Sequence, residues 1–117
     1  MHTESALKEK EKKMGISVKP GIVEEDGILI VRGDEYILRV ASALASPTRL
    51  EILRYVINKE ADVGEIAELI KQSKANASAQ VKKLEEAGLL KTIYKPGQRG
   101  VKKICSTKIK EIRIILK

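Results

Sequence analysis

Residues 62–90 read DVGEIAELIKQSKANASAQVKKLEEAGLL, and this stretch decides the fold. Its apolar side chains recur every three or four positions on both sides of a polar break, which is typical of two short amphipathic helices. The first begins at Asp62 or the residue after it, and Ser73 is a residue type that caps the start of the second. The second helix runs to Ala87, because Gly88 favours the conformation that ends a helix. The pattern predicts two helices joined by a turn of about three residues.

A basic, turn-rich segment follows the second helix. Residues 89–94 and 101–105 are mainly apolar and β-branched and are predicted to be strands. Between them, residues 95–100 read KPGQRG, in which proline and glycine favour a loop. A helix-turn-helix followed by a basic hairpin indicates a winged helix, whose second helix enters the major groove of DNA.

Two more helices precede this pair. Asp34 is predicted to cap a helix over 34–45 that has apolar side chains on one face. Ser46 is predicted to cap the next helix, over 47–59. Pro47 suits its first turn, where the missing N–H has no helical partner to lose.

The two ends of the chain are predicted to add strands. Residues 16–31 read as a hairpin around the Asp26-Gly27 turn, and residues 108–116 read as a strand because apolar side chains alternate there. The predicted fold class is therefore α+β, mainly α: a winged helix-turn-helix with an N-terminal β-hairpin and a C-terminal strand. The predicted organisation is a flexible charged tail at 1–14, a hairpin arm at 15–33, and a winged-helix DNA-binding domain with the C-terminal strand at 34–117.

Charge is distributed unevenly along the 117 residues. Residues 1–70 contain 10 basic and 13 acidic side chains, whereas residues 71–117 contain 13 basic and 3 acidic ones, a net charge of +10. Such an asymmetry favours a polyanionic partner, although a solvated basic surface is the simpler alternative. Only three aromatic residues are present, all tyrosines, which disfavours single-strand binding by base stacking. Double-stranded DNA is the expected partner.

Composition excludes several other classes of function. The single cysteine, Cys105, permits no internal disulfide, and with one histidine, His2, a metal site is unsupported. No apolar run reaches the ~18 residues of a membrane span, and Met1–Lys13 lacks the apolar centre of a signal peptide. No nucleophile–base pair or phosphate-binding glycine loop occurs. We expect a cytoplasmic protein that is not an enzyme and has no cofactor, metal or membrane partner.

Three segments within residues 42–106 carry a family resemblance. Residues 43–53 (ALASPTRLEIL), 63–70 (VGEIAELI) and 81–90 (VKKLEEAGLL) are similar to the opening segment, the first helix of the pair and the end of the recognition helix in ArsR-like winged-helix regulators. The resemblance implies a dimeric, sequence-specific DNA-binding repressor or a related transcriptional regulator.

The chain departs from that family in places important for its function, including the front of the recognition helix, where the family usually offers Ser, Thr and His side chains and residues 74–80 here read KANASAQ. The turn usually holds a glycine and an apolar residue, but here Lys71 and Gln72 occupy it. The metal-sensing branch has cysteines in the helix before the turn, and this helix has none, so metal sensing is rejected.

The recognition helix and the wing supply the candidate DNA contacts. Asn76 and Gln80 are four residues apart and share a helix face, from which either amide is expected to contact adenine bidentately. Ser78 and Lys74 are expected to bind phosphate, and Arg99 at the wing tip is expected to enter a narrow minor groove. The complete predicted DNA-binding set is Lys71, Ser73, Lys74, Asn76, Ser78, Gln80, Lys82, Lys83, Lys95, Gln98, Arg99, Lys102 and Lys103.

Several candidates have a structural alternative. Asn76 is also a helix-capping type, and Lys82 and Lys83 could be solvated lysines neutralised by nearby glutamates. Tyr94 is expected to pack beneath the wing rather than to contact phosphate. Cys105 is expected to be a buried thiol rather than a redox sensor.

Two surfaces are predicted to form a homodimer. The helix at 34–45 and the strand at 109–116 carry more apolar side chains than one core needs, and an apolar strand edge requires a partner. That partner is either the chain's own hairpin or a second protomer. The predicted dimerisation residues are Tyr36, Leu38, Leu44, Ile112, Ile114 and Ile115. The alternative function is a winged-helix protein-interaction module in a transcription or nucleic-acid-processing assembly.

Overall fold

The computed structural model describes residues 19–117, so the predicted tail and the first residues of the predicted hairpin lie outside the described part. The fold is α+β, a winged helix-turn-helix with a hairpin before it and a strand after it, as predicted. Its elements in chain order are β1 (Gly21–Glu25), β2 (Ile28–Arg32), α1 (Asp34–Leu44), α2 (Pro47–Asn58), β3 (Ala61–Asp62), α3 (Val63–Ile70), α4 (Lys74–Glu86), β4 (Lys91–Gly97), β5 (Gly100–Ser106) and β6 (Glu111–Ile115).

Side-chain caps fix the starts of three helices. The side chains of Ser46, Asp62 and Ser73 each accept a hydrogen bond from the backbone N–H three residues later, at 2.8–3.2 Å. Each cap satisfies one of the N–H groups that lack a partner in the first turn. The predicted cap at Asp34 is wrong. Gly33, with φ +91°, holds that position, and Asp34 lies inside the first turn, where its negative charge favours the helix dipole.

The strands form two three-stranded sheets. In one, β2 lies between β1 and β6, pairing antiparallel with β1 and parallel with β6. In the other, β5 lies between β3 and β4. Of the two partners considered for the C-terminal strand, the structure provides the chain's own hairpin.

The wing differs from its predicted boundaries. β4 begins at Lys91 because Leu89 still bonds back to α4, its N–H donating to the Leu84 carbonyl at 3.0 Å after the left-handed Gly88. β4 and β5 then continue to Gly97 and from Gly100, so most of the predicted loop at 95–100 is strand. Only Gln98 and Arg99 remain at the tip.

A single apolar core lies beneath the helices and joins both sheets. Its fully buried side chains include Leu29 and Val31 from β2, Ile52 from α2, Leu84 from α4 and Cys105 from β5. Because all four helices and both sheets contribute to this core, the positions of α4 and the wing are fixed relative to the rest of the domain.

Candidate nucleic-acid interface

Helix α4 presents one apolar face to the core and one polar face to solvent. Ala77, Val81 and Leu84 are buried at helical spacing. Most of the remaining positions from the start of the helix to its last turn are exposed, whereas Ser78 and Gln80 are half-buried at the flanks. The predicted contacts exposed on this helix are Lys74, Asn76, Lys82 and Lys83.

The turn before α4 contains a backbone conformation that usually requires glycine. Lys71 caps the end of α3 with φ +57° and ψ +46°, in the left-handed region. A side chain there costs of order 1 kcal/mol relative to glycine. The side chain of Lys71 is exposed, so this strained position places a positive charge directly before the recognition helix.

Two polar residues at the start of α4 have distinct positions. The Ser73 hydroxyl accepts the backbone N–H of Asn76 at 3.1 Å, so Ser73 is the cap and the capping alternative for Asn76 is wrong. Asn76 is left with an exposed side chain on the helix surface. The Ser73 hydroxyl keeps its own proton and can still donate it to a phosphate.

Gln80 contacts a residue that sequence analysis missed. Its side-chain oxygen accepts a hydrogen bond from Nη1 of Arg49 in α2 at 2.8 Å. The same guanidinium donates to the carbonyls of Ala43 and Ser42 in the last turn of α1, at 2.8 and 3.0 Å. Arg49 is 31 residues before Gln80, and no local periodicity predicts such a contact. The only sequence signal for this contact was that residues 43–53, the segment similar to the start of the family's domain, contain one basic residue, Arg49.

The two strands of the wing, β4 and β5, place basic and apolar residues opposite one another. Lys95 lies opposite Lys102, and Tyr94 lies opposite Lys103, which is half-buried. Tyr94 is 69% exposed, so the expectation that it packs beneath the wing is wrong. Its neighbour Ile93 is also 46% exposed, so this part of β4 is not covered by the core. Arg99 is exposed at the tip, beside Gln98.

Two ion pairs connect the wing to the residues around β3. Nζ of Lys95 lies 3.5 Å from a carboxylate oxygen of Glu60, and Nζ of Lys102 lies 4.0 Å from one of Asp62. All four side chains are at least one third exposed, so each pair contributes little to stability. Lys74 and Asp62 both lie beside Gly64, with Cε of Lys74 at 3.5 Å and Oδ1 of Asp62 at 3.1 Å from where a Cβ on Gly64 would stand. The start of α4 and the acidic partner of Lys102 therefore lie near the same point of α3.

A polar cluster of Tyr55, Lys59 and Glu65 lies where α2 meets α3, the first helix of the helix-turn-helix. The Tyr55 hydroxyl donates to the Glu65 carboxylate, and Nζ of Lys59 lies 2.9 Å from the same carboxylate. These contacts, the hydrogen bond from Tyr55 first, lower the pKa of Glu65. The hydrogen bond to Glu65 in turn raises the pKa of Tyr55 and of Lys59. The cluster joins the end of α2 to α3.

The cysteine, metal-ligand and membrane predictions each meet one observation in the described residues. Burial raises the pKa of the Cys105 thiol to about 11, so it stays protonated and unreactive, as expected for a buried cysteine. Within residues 19–117, no three histidine, cysteine or acidic side chains are grouped as a metal site. Over the same range, no helix has both the length and the apolar composition to cross a membrane.

Comparison with known proteins also indicates a helix-turn-helix domain. A family model described as a helix-turn-helix domain matches residues 44–93. Among curated protein sequences, none matches the chain.

Three of the solved structures that are similar to the chain come from bacteria. A homodimeric winged helix-turn-helix DNA-binding domain from Mycobacterium bovis, described as a possible ArsR-family transcriptional regulator, is 27% identical with a TM-score of 0.56, over 63% of this chain and 65% of that one. Reduced HlyU from Vibrio cholerae is 25% identical with a TM-score of 0.53, over 62% and 73%. NolR from Sinorhizobium fredii is 27% identical with a TM-score of 0.53, over 62% and 69%. These likenesses confirm the resemblance to ArsR-like winged-helix regulators.

Proposed function

From this winged helix-turn-helix, similar to ArsR-family regulators, we propose that the chain is a sequence-specific regulator that binds double-stranded DNA and represses transcription. The observation that carries the proposal is the exposed polar face of α4, together with the exposed basic side chains Lys95, Arg99 and Lys102 of the wing. In this arrangement α4 lies in the major groove, and the wing lies on the flanking backbone or minor groove.

The predicted contact residues divide into three roles. Exposed lysines around α4 neutralise phosphates, and the amides of Asn76 and Gln80 face base edges. Arg99, two residues beyond the end of β4, reaches a flanking minor groove, where narrow A·T segments attract arginine. The phosphate contacts are Lys71, Ser73, Lys74, Ser78, Lys82 and Lys83 around α4, with Lys95, Gln98, Lys102 and Lys103 on the wing.

A salt titration tests this proposal. Fluorescence anisotropy of the protein on a mixed-sequence duplex is measured at several salt concentrations. The logarithm of the affinity should fall linearly with that of the salt, by ~0.9 per neutralised phosphate. An absence of binding even at low salt contradicts the proposal and favours the protein-interaction module, for which the exposed Ile93, Tyr94 and Val101 of the wing are the relevant surface.

We also propose that two copies bind together, which doubles the contact with DNA. The sheet offers a partner surface at β6, which among residues 19–117 pairs with β2 alone and leaves its other edge open. Ile114 is 41% exposed and Leu116 is 86% exposed at this edge. An open apolar edge of this kind is a template for a further strand.

One antiparallel register makes β6 complementary to itself. With Ile114 opposite Ile114 of the partner subunit, Ile112 lies opposite Leu116 of the partner subunit, and Glu111 lies opposite Lys117 of the partner subunit. All apolar positions of one sheet face then pair with each other, and the outermost charges are opposite in sign. Ile115 alternates with Ile114 along β6 and belongs to the opposite sheet face. The other predicted dimer residues, Tyr36, Leu38 and Leu44, form the helical alternative on α1.

Two matched variants distinguish these dimer surfaces. Leu116→Lys puts a charge at the sheet edge, and Leu38→Lys puts the same charge on α1, where Leu38 is 67% exposed. Neither position is part of the core, so both variants should fold. The molar mass from light scattering should be that of a dimer for the parent and for Leu38→Lys, and that of a monomer for Leu116→Lys. The reverse result would assign the interface to α1.

A further inference from the structure

Arg49 connects three helices through one guanidinium. It stands in the first turn of α2, where its backbone N–H donates to the Ser46 cap at 3.2 Å. Its Nε and Nη2 donate to two carbonyls in the last turn of α1, and its Nη1 donates to Gln80 of α4. Carbonyls at a helix end have acceptor capacity left over, and the Ser42 carbonyl has room for Arg49 beside the Ala45 N–H that it accepts at 3.2 Å. The end of α1 therefore supplies a pair of acceptors that orients the guanidinium.

The chemistry of arginine determines which end of the Gln80 amide faces it. A guanidinium has only donors, so the group that meets it must be the amide oxygen and not the nitrogen. Exchanging the two ends would set NH₂ against an N–H donor and would lose a charge-assisted hydrogen bond. The Gln80 oxygen is thereby held toward α2, and the NH₂ group is the end left for other partners.

We propose that Arg49 is a positioning residue that sets the base preference of Gln80, an inference that rests on the proposed DNA-binding function. With its oxygen held by Arg49, Gln80 presents a donor to the major groove. Guanine offers two adjacent acceptors there, O6 and N7, whereas bidentate recognition of adenine needs an acceptor and a donor together. The geometry therefore points to guanine at the base pair that Gln80 reads, and it replaces the bidentate adenine contact predicted from the sequence.

The test begins with selection of a binding site from a randomised duplex pool by the parent protein. The same selection is repeated with Arg49→Met, Gln80→Glu and, as a matched control on α2, Arg54→Met, whose side chain is exposed. Circular dichroism and thermal unfolding verify that each variant is folded. The readout is the base preference at each position of the site, which a general loss of stability does not change selectively.

We expect one position at which the parent prefers guanine over adenine by about tenfold. Arg49→Met frees the amide to rotate and should shift that position toward adenine, while the preferences elsewhere remain. Gln80→Glu keeps the bond with Arg49 but has no donor, so it should lose the guanine preference. Arg54→Met should select the parental site.

A second measurement does not depend on any variant folding. Replacing guanine by 7-deazaguanine at the selected position removes one of the two acceptors, and the affinity of the parent should fall about fivefold. An adenine preference in the parent, or a base preference unchanged by Arg49→Met or by Gln80→Glu, would overturn the inference while leaving duplex binding intact. A failure to bind any duplex would instead overturn the proposed function.

Discussion

Replacing Lys71 with glycine should raise the stability of the domain while weakening its binding to DNA. Lys71 has φ +57°, a conformation that glycine adopts without strain. Relief of that strain should contribute about 1 kcal/mol to the free energy of unfolding. For a domain of this size, such a change raises Tm by about 4 °C. The same substitution removes a charge at the turn before α4, and with it one proposed phosphate contact per protomer.

The two effects are measured separately. Thermal unfolding followed by circular dichroism gives the change in Tm, and anisotropy on a duplex gives the dependence of affinity on salt. The slope of log affinity against log salt should become shallower by ~0.9 per protomer. Lys82→Ala is the matched control, because it removes the same charge from an exposed position in the middle of α4 and should change the slope with little effect on Tm. A lower Tm for Lys71→Gly would refute the strain argument, and an unchanged slope would refute the phosphate contact.

Three further predictions concern the wing, the polar cluster and the buried thiol. In an anisotropy competition, Arg99→Ala should weaken DNA binding most on duplexes with A·T flanks. Lys110→Ala, which removes a charge beside the β1–β2 turn, should show no such preference for A·T flanks. Equal losses of affinity in the two variants would remove the wing tip from the mechanism. Glu65→Gln should destabilise the domain near neutral pH and progressively less in acid. A carboxylate with a lowered pKa stabilises the fold above its unfolded pKa, and it loses that effect as the pH falls through its folded pKa. If the variant and the parent differ in urea unfolding free energy by the same amount at every pH, this explanation is wrong. Cys105 should react with a thiol reagent at pH 8 only as fast as the domain opens, since its pKa is raised to about 11, and rapid labelling of the folded protein would contradict its burial.

The parts of the fold that sequence predicted correctly depend on local interactions. Ser46, Asp62 and Ser73 cap their helices through the third residue that follows, and Gly88 ends α4 through its positive φ. Such interactions lie within one helical turn, so residue type and spacing are enough to identify them. The predicted cap at Asp34 was wrong because the preceding residue, Gly33, occupies the cap position with a positive φ and needs no side chain to do so.

The parts that were missed depend on contacts between distant segments. The extent of the wing strands is set by cross-strand pairing, which lets Lys95 and Pro96 continue a strand despite their turn-like composition. The Arg49–Gln80 contact joins residues on two packed helices, and it changes what Gln80 can recognise. Helical spacing correctly predicted the elements of the interface but could not indicate which way an amide on α4 is turned.

The parallel pairing of β2 with β6 has a consequence for the order of folding. Ile30 lies opposite Arg113, 83 positions later, so this sheet closes the longest loop in the described chain. Closing such a loop carries an entropic cost that local helix and hairpin formation does not. During synthesis, the β1–β2 hairpin, the helices and the wing can assemble as soon as Ser106 has emerged, whereas the second edge of β2 stays unpaired until residues 111–115 follow. A chain shortened after Ser106 should therefore retain a helix-turn-helix but carry an uncovered β2 edge, and it should aggregate through that edge before it loses its helices.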